Sequence, residues 1–205
     1  MSTLPDAFRL RRSIRKYQNK PVAKELVYGV LEAAGCAPSA HNSQPWRFVV
    51  VWDSARKREL SERMADAWAA DMAKDGSKVD EAKRVERRKR FASAPALVVA
   101  CLSTERLMAF SDLERQRTER DLAVESLAAS IQNLLLSAQL LGLGACWYCA
   151  PAFCKSTVRK ALDIPETVEP TALITLGYPA ETPVAPPKKT IDEYCFADAW
   201  GKPLR

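Results

Sequence analysis

The chain has 205 residues, 47% hydrophobic and 27% charged, which is enough to bury a substantial core and suits one domain better than two. No apolar run reaches the roughly 20 residues of a bilayer-spanning helix, and the N-terminus, MSTLPDAFRLRRSIRKY, lacks the apolar stretch of a secretory signal; a cytoplasmic protein with no membrane partner is expected. The formal charge is +6, but KRVERRKR at 83–90 holds six basic residues and one acidic, so +5 of the excess sits in one run that reads as a solvated helix face, with no interleaved aromatics to suggest nucleic acid.

In chain order, residues 23–36 set Leu26, Val27, Val30, Leu31 and Ala34 on one helical face after Pro21. WRFVVVW at 46–52 reads as a strand. Ser54 is the expected N-cap of a polar helix to about residue 73, and a second charged helix is expected over 79–91. Both are poor in apolar residues and are expected outside the main core. PALVVACL at 95–102 reads as a strand. A long helix is predicted from Thr118, in a Thr-x-x-Asp pattern with Asp121, to about Leu141, with Gly142 and Gly144 beyond it. Its inward stripe would be Val124, Leu127, Ala128, Ile131, Leu134, Leu135, Ala138 and Leu141. Ala129, Leu136 and Leu140 occupy the other side, which points to a central helix or a subunit interface. ACWYC at 145–149 and TALITLGY at 171–178 are further strands, giving an α+β class with helices flanking a sheet. The Pro-rich tail, 182–205, carries Ile191, Tyr194, Phe196 and Trp200 and is too apolar to remain uncovered.

The familiar catalytic patterns are missing. There is one histidine, His41, no GxSxG elbow and no phosphate-binding glycine loop; GLGACW follows a helix and lacks the third glycine of a dinucleotide fingerprint. The six cysteines are expected to be reduced, and CWYC has no second ligand pair for a metal. If the chain is an enzyme, a cofactor carries the chemistry. RRSIR supplies three guanidinium groups and a hydroxyl within five residues, a set that can grip a phosphate as readily as it can coat a surface. APSAHNSQPW, between a helix and a strand, is either a plain connector or one wall of a site.

RRSIRKY, then APSAHNSQPWRFVVV, then SIQNLLLSAQLLGLGACW, then LGYPAE follow one another across nearly the whole sequence, and in this order they resemble the FMN-dependent nitroreductase family. WYCAPAFCKSTVRKALDIPETVEPTALITLGYP looks most like the nitroreductase-type domain of the enzyme that matures the deazaflavin cofactor. The resemblance implies a nitroreductase-like fold with a mainly antiparallel sheet, a helical cap over about 55–91 that with the charged segment 105–120 selects the acceptor, and a C-terminal extension reaching the partner subunit. It implies a homodimer with two FMN sites, each built from both chains. Arg11, Arg12, Ser13 and Arg15 would hold FMN, with Arg11 and Ser13 toward the phosphate and Arg15 near the N1 and C2 carbonyl edge; Lys188 or Lys189 would add a phosphate contact. Pro38, Ser39, Ala40 and Asn42 would line the flavin of the other subunit, anchored by Gln44, Pro45 and Trp46, while His41 would be a surface or interface residue. The main chain at Tyr148 and Cys149 would run beside N5. The implied activity is ping-pong hydride transfer from NAD(P)H to a small electron-poor acceptor: a nitroaromatic, a quinone or a conjugated alkene. Reduction of a dehydro precursor in deazaflavin biosynthesis, fragmentation of FMN, flavin binding without turnover, and a basic nucleic-acid binder are the alternatives.

Overall fold

A computed structural model describes residues 5–204; residues 1–4, which open the stretch read above for a signal, and residue 205, which ends the tail, lie outside it. After a short helix α1 (Asp6–Leu10) the chain builds α2 (Lys24–Gly35), β1 (Trp46–Val51), α3 (Ser54–Lys74), α4 (Glu81–Ala92), β2 (Ala96–Ser103), α5 (Leu113–Leu140), β3 (Gly144–Tyr148), α6 (Ala150–Phe153), α7 (Lys155–Leu162) and β4 (Val168–Gly177). The four strands form one antiparallel sheet in the order β1-β2-β4-β3. This is the α+β architecture expected.

β2 shows how the sheet organises the core. Its eight residues are all buried, and because successive side chains alternate faces they divide between two layers. Ala96, Val98, Ala100 and Leu102 join α2 and α5 on one face, while Leu97, Val99 and Cys101 join residues of α3 and α7 on the other. The register slips between Ala100 and Cys101, opposite Pro170. A proline has no N–H for the ladder, and the bulge accommodates it. β4 therefore begins at Val168, ahead of the start expected at 171.

Three expected features are corrected. α3 and α4 are not outside the core: Leu60, Met64 and Phe91 are almost fully buried on the second face of the sheet. In α3 the buried set is Lys57, Leu60, Ser61, Met64 and Ala65, a stripe at i, i+3, i+4, i+7 and i+8 whose narrowness is masked by the polar remainder. Aspartates, rather than Ser54 or Thr118, cap the helices. Asp53, Asp80 and Asp112 each accept the backbone N–H three residues on at 2.8 Å, so α5 begins at Leu113. Thr118 lies inside α5, its hydroxyl donating to the Glu114 carbonyl. Within the predicted stripe of α5, Val124 and Leu141 are exposed and Ala128 is half-buried, while Leu127, Ile131, Leu134, Leu135 and Ala138 are buried. Leu140 on the opposite side is exposed. α5 ends at Leu140, and the expected stop follows at Gly142, whose φ of 71° closes a Schellman turn: Leu143 N–H donates to the Ala138 carbonyl and Gly142 N–H to Gln139.

The large apolar residues of the tail are not buried in this core. Val184 and Trp200 are 93% and 91% exposed, and Tyr194 is also exposed. Its local order comes from a Thr190–Glu193 capping box and from Phe196 packing on Trp200 at 4.7 Å between ring centroids.

Candidate functional site

The arginine segment lies along the free edge of β3. Ser13 bridges Ala145 in parallel, and Ile14 N–H donates to the Ala145 carbonyl at 3.0 Å. Gly144 makes this approach possible: a Cβ there would meet Ile14 side-chain atoms at 2.7–2.9 Å. From the other end of the chain, Glu181 Oε1 accepts the backbone N–H groups of Arg15 and Lys16 at 2.6 and 3.0 Å. These N–H groups, chiefly that of Arg15, hold the Glu181 carboxyl below the usual range.

Between the two segments is a cavity of ≈ 630 Å³ lined by Arg11, Arg12, Ser13 and Arg15 on one side and Pro183, Val184 and Lys188 on the other. Among the described residues, none of these arginines and neither Lys188 nor Lys189 forms an ion pair with a carboxylate. Arg12 instead donates to the Arg9 and Arg11 carbonyls at 2.7 and 2.8 Å. Lys189 is exposed and is not part of the cavity wall. The donor set of several guanidiniums, a hydroxyl and an ammonium fits a phosphate, and the volume is that of a small-molecule site. Adjacent strand β3 ends in two buried polar atoms without partners, Trp147 Nε1 and the Tyr148 hydroxyl. Burial is the main reason the Tyr148 hydroxyl pKa is raised, and Cys146 adds to it. Cys149, just beyond, is exposed.

The 37–46 loop is built differently and lies elsewhere. His41, Asn42 and Gln44 take left-handed φ of 53°, 51° and 47°, each costing on the order of 1 kcal/mol for a non-glycine residue. The loop is held by its own polar groups: Gln44 N–H donates to Ser39 Oγ at 3.1 Å, the Gln44 amide donates to Asn42 Oδ1 at 3.1 Å, and Ala40 N–H donates to Ser126 Oγ of α5 at 3.2 Å. His41 is exposed with Nε2 3.9 Å from the buried Glu119 carboxylate, whose other oxygen accepts Met108 N–H. Pro38 and Asn42 are exposed, and Ser39 and Ala40 half-buried. The loop meets α5 at Ser126 and the arginine segment meets the chain just past Gly142. About 14 residues of helix lie between Ser126 and the end of α5 at Leu140, roughly 21 Å at 1.5 Å per residue. One protomer does not bring the two predicted groups together.

A sequence model of the nitroreductase family matches residues 9–178. The chain belongs to the nitroreductase family. The chain is 34% identical over 183 residues to a protein of Methanothermobacter thermautotrophicus provisionally named an NADH dehydrogenase/NAD(P)H nitroreductase, covering 87% of this chain and 78% of that one. It is 30% identical over 182 residues to the Bacillus subtilis protein YfhC, provisionally named an NAD(P)H nitroreductase, covering 89% and 87% of the two. Among solved structures, a BluB-like flavoprotein from Clostridium difficile 630 superposes with a TM-score of 0.78 at 26% identity, covering 94% of this chain and 97% of that chain. Among the described residues no helix is long and apolar enough to cross a membrane, and no cluster of His, Cys, Asp and Glu has the arrangement of a metal site. Glu181, Gly144 and Ser126 were not singled out for these roles from the sequence. Only the LGYPAE motif pointed to the neighbourhood of the first.

Proposed function

We propose that the protein is an FMN-dependent oxidoreductase that takes two electrons from NAD(P)H and delivers them to a small electron-poor acceptor. The observation that carries this reading is the meeting of cations from both ends of the chain, Arg11, Arg12 and Arg15 with Lys188, around one cavity in a member of the nitroreductase family. Bound FMN supplies reversible hydride chemistry at N5, which the side chains alone do not offer. Arg11, Arg12, Ser13 and Lys188 hold its phosphate, and Glu181 orders the backbone from which Arg15 projects. Arg15 sets a positive charge at the ring edge and favours the negative charge of the reduced state. The main chain at Tyr148 and Cys149 offers hydrogen bonds toward N5. Pro38, Ser39, Ala40 and Asn42 belong to the ring and ribityl wall of the other subunit's site, which makes the active species a homodimer. A quinone, NAD(P)H and a proton yield hydroquinone and NAD(P)⁺; a nitro group yields the nitroso product and water.

An absorbance spectrum of the purified protein before and after anaerobic NAD(P)H tests the reading. A flavin spectrum that bleaches with the donor and returns with a quinone or nitroaromatic is expected. A colourless protein that fails to take up added FMN overturns it. Destruction of reduced FMN itself in air would put the FMN-fragmenting reading in its place.

A further inference from the structure

A second cavity, of ≈ 360 Å³, lies between α3, α4 and α6, where Met64, Trp68, Met72 and Phe153 supply an apolar lining and Arg87 the one cation of its wall. It opens beside α6, which follows directly from the end of β3. Its charge arrangement is unusual. Arg84, Arg88 and Arg90 of α4 pair with Asp66, Glu81 and Glu86. Arg87 pairs with no carboxylate among the described residues, and its guanidinium stacks over Trp68 at 4.4 Å from the ring centroid; its Nε is buried without a hydrogen-bond acceptor, as are those of Arg84 and Arg88, so the missing carboxylate is what sets it apart. Burial, then the neighbouring Arg90, lowers its pKa, yet a guanidinium stays charged. Asp71 also borders the cavity, but it is engaged by Lys74 at 2.8 Å. A half-buried cation without a counterion costs free energy that an incoming anion recovers.

We infer that this cavity is a binding site, separate from the cationic cavity, for a planar aromatic carrying one carboxylate, the ring against Met64, Met72 and Phe153 and the carboxylate on Arg87. One arginine is available, enough for a single carboxylate; Asp71 at the rim is offset by Lys74, and Asp75 opposes any second negative charge. The volume suits one or two rings and is small for a dinucleotide. Phe153, 81% exposed on a four-residue helix, has no packing role to explain it.

Binding is read without turnover, by calorimetric titration of the oxidised, purified protein with 4-nitrobenzoate and with its neutral isostere 4-nitrobenzamide. The wild type is expected to prefer the acid by about tenfold or more, the scale of a charge-assisted hydrogen bond. Arg87→Gln is expected to abolish that preference and Arg87→Lys to retain part of it. Phe153→Ala, at an exposed position outside the buried core, is expected to weaken both ligands severalfold. Equal affinity for acid and amide in the wild type, a preference that survives Arg87→Gln, or a Phe153→Ala variant that binds both ligands unchanged would overturn the inference. The absorbance spectrum of the same samples separates the two readings. Flavin present with no acid preference removes this site alone, whereas an acid preference in a protein that takes up no flavin removes the oxidoreductase reading and leaves an aromatic-acid site.

Discussion

Glu181 and Arg15 are 166 residues apart in sequence and joined by a 2.6 Å hydrogen bond from the Arg15 backbone N–H to Oε1. Because the carboxyl pKa is lowered in the folded protein, its stabilisation is present above the ordinary carboxylate pKa, about 4.3, and is lost as pH falls through the lower folded value. Glu181→Gln should therefore melt at lower temperature than the wild type at pH 7, with the difference closing below about pH 4. Thermal unfolding across that range checks it. A gap that widens in acid would show that the carboxylate does not act this way.

Gly144 offers a direct probe of the arginine segment. Gly144→Ala places a methyl group 2.7 Å from Ile14 Cγ2, so the segment must move off β3. A loss of about 1–3 kcal/mol is expected, together with weaker FMN retention. Removing the obstructing side chain with Ile14→Ala should make the double variant less damaged than the sum of the singles, a coupling measurable by denaturant titration.

Arg15→Ala should weaken FMN retention and slow anaerobic reduction by NAD(P)H. At Cys149 the main chain, rather than the thiol, is proposed to matter. Cys149→Ala should hold FMN far better than Cys149→Pro, which deletes the N–H, and fluorescence titration with FMN reads the difference. Comparable FMN affinity in the two Cys149 variants would remove the main-chain contact.

Leu60 is fully buried in α3 against the second face of the sheet. Leu60→Ala should cost about 2–5 kcal/mol, as for a core leucine. A loss below about 0.5 kcal/mol would return α3 to the surface role that its composition suggests.

Much of the architecture is legible in the sequence because its signals are local. The unbroken apolar run at 95–102 announces a strand buried on both faces, and Gly142 announces the end of a helix. The RRSIR cations are visible because they are contiguous, and Lys188 because the family resemblance carries it. What escaped depends on contacts between distant segments. The burial of Leu60 and Met64 is hidden when a helix is judged by overall polarity instead of by spacing. The role of Glu181 exists only where the tail passes the N-terminal segment. Arg87 looks like one more member of a basic run until its three neighbouring arginines are seen to have carboxylates and it is not.

The length of α5 between its contact with Ala40 and its end at Leu140 has a stoichiometric consequence. If the loop and the cationic segment serve the same cofactor, the two halves of each centre come from different chains, and damaged copies can complement one another. An Arg15→Ala chain and an Asn42→Ala chain, each impaired alone, should regain activity when unfolded together and refolded as a mixture. Random pairing makes half the dimers hybrids with one undamaged centre each, so recovery should approach about a quarter of the wild-type level.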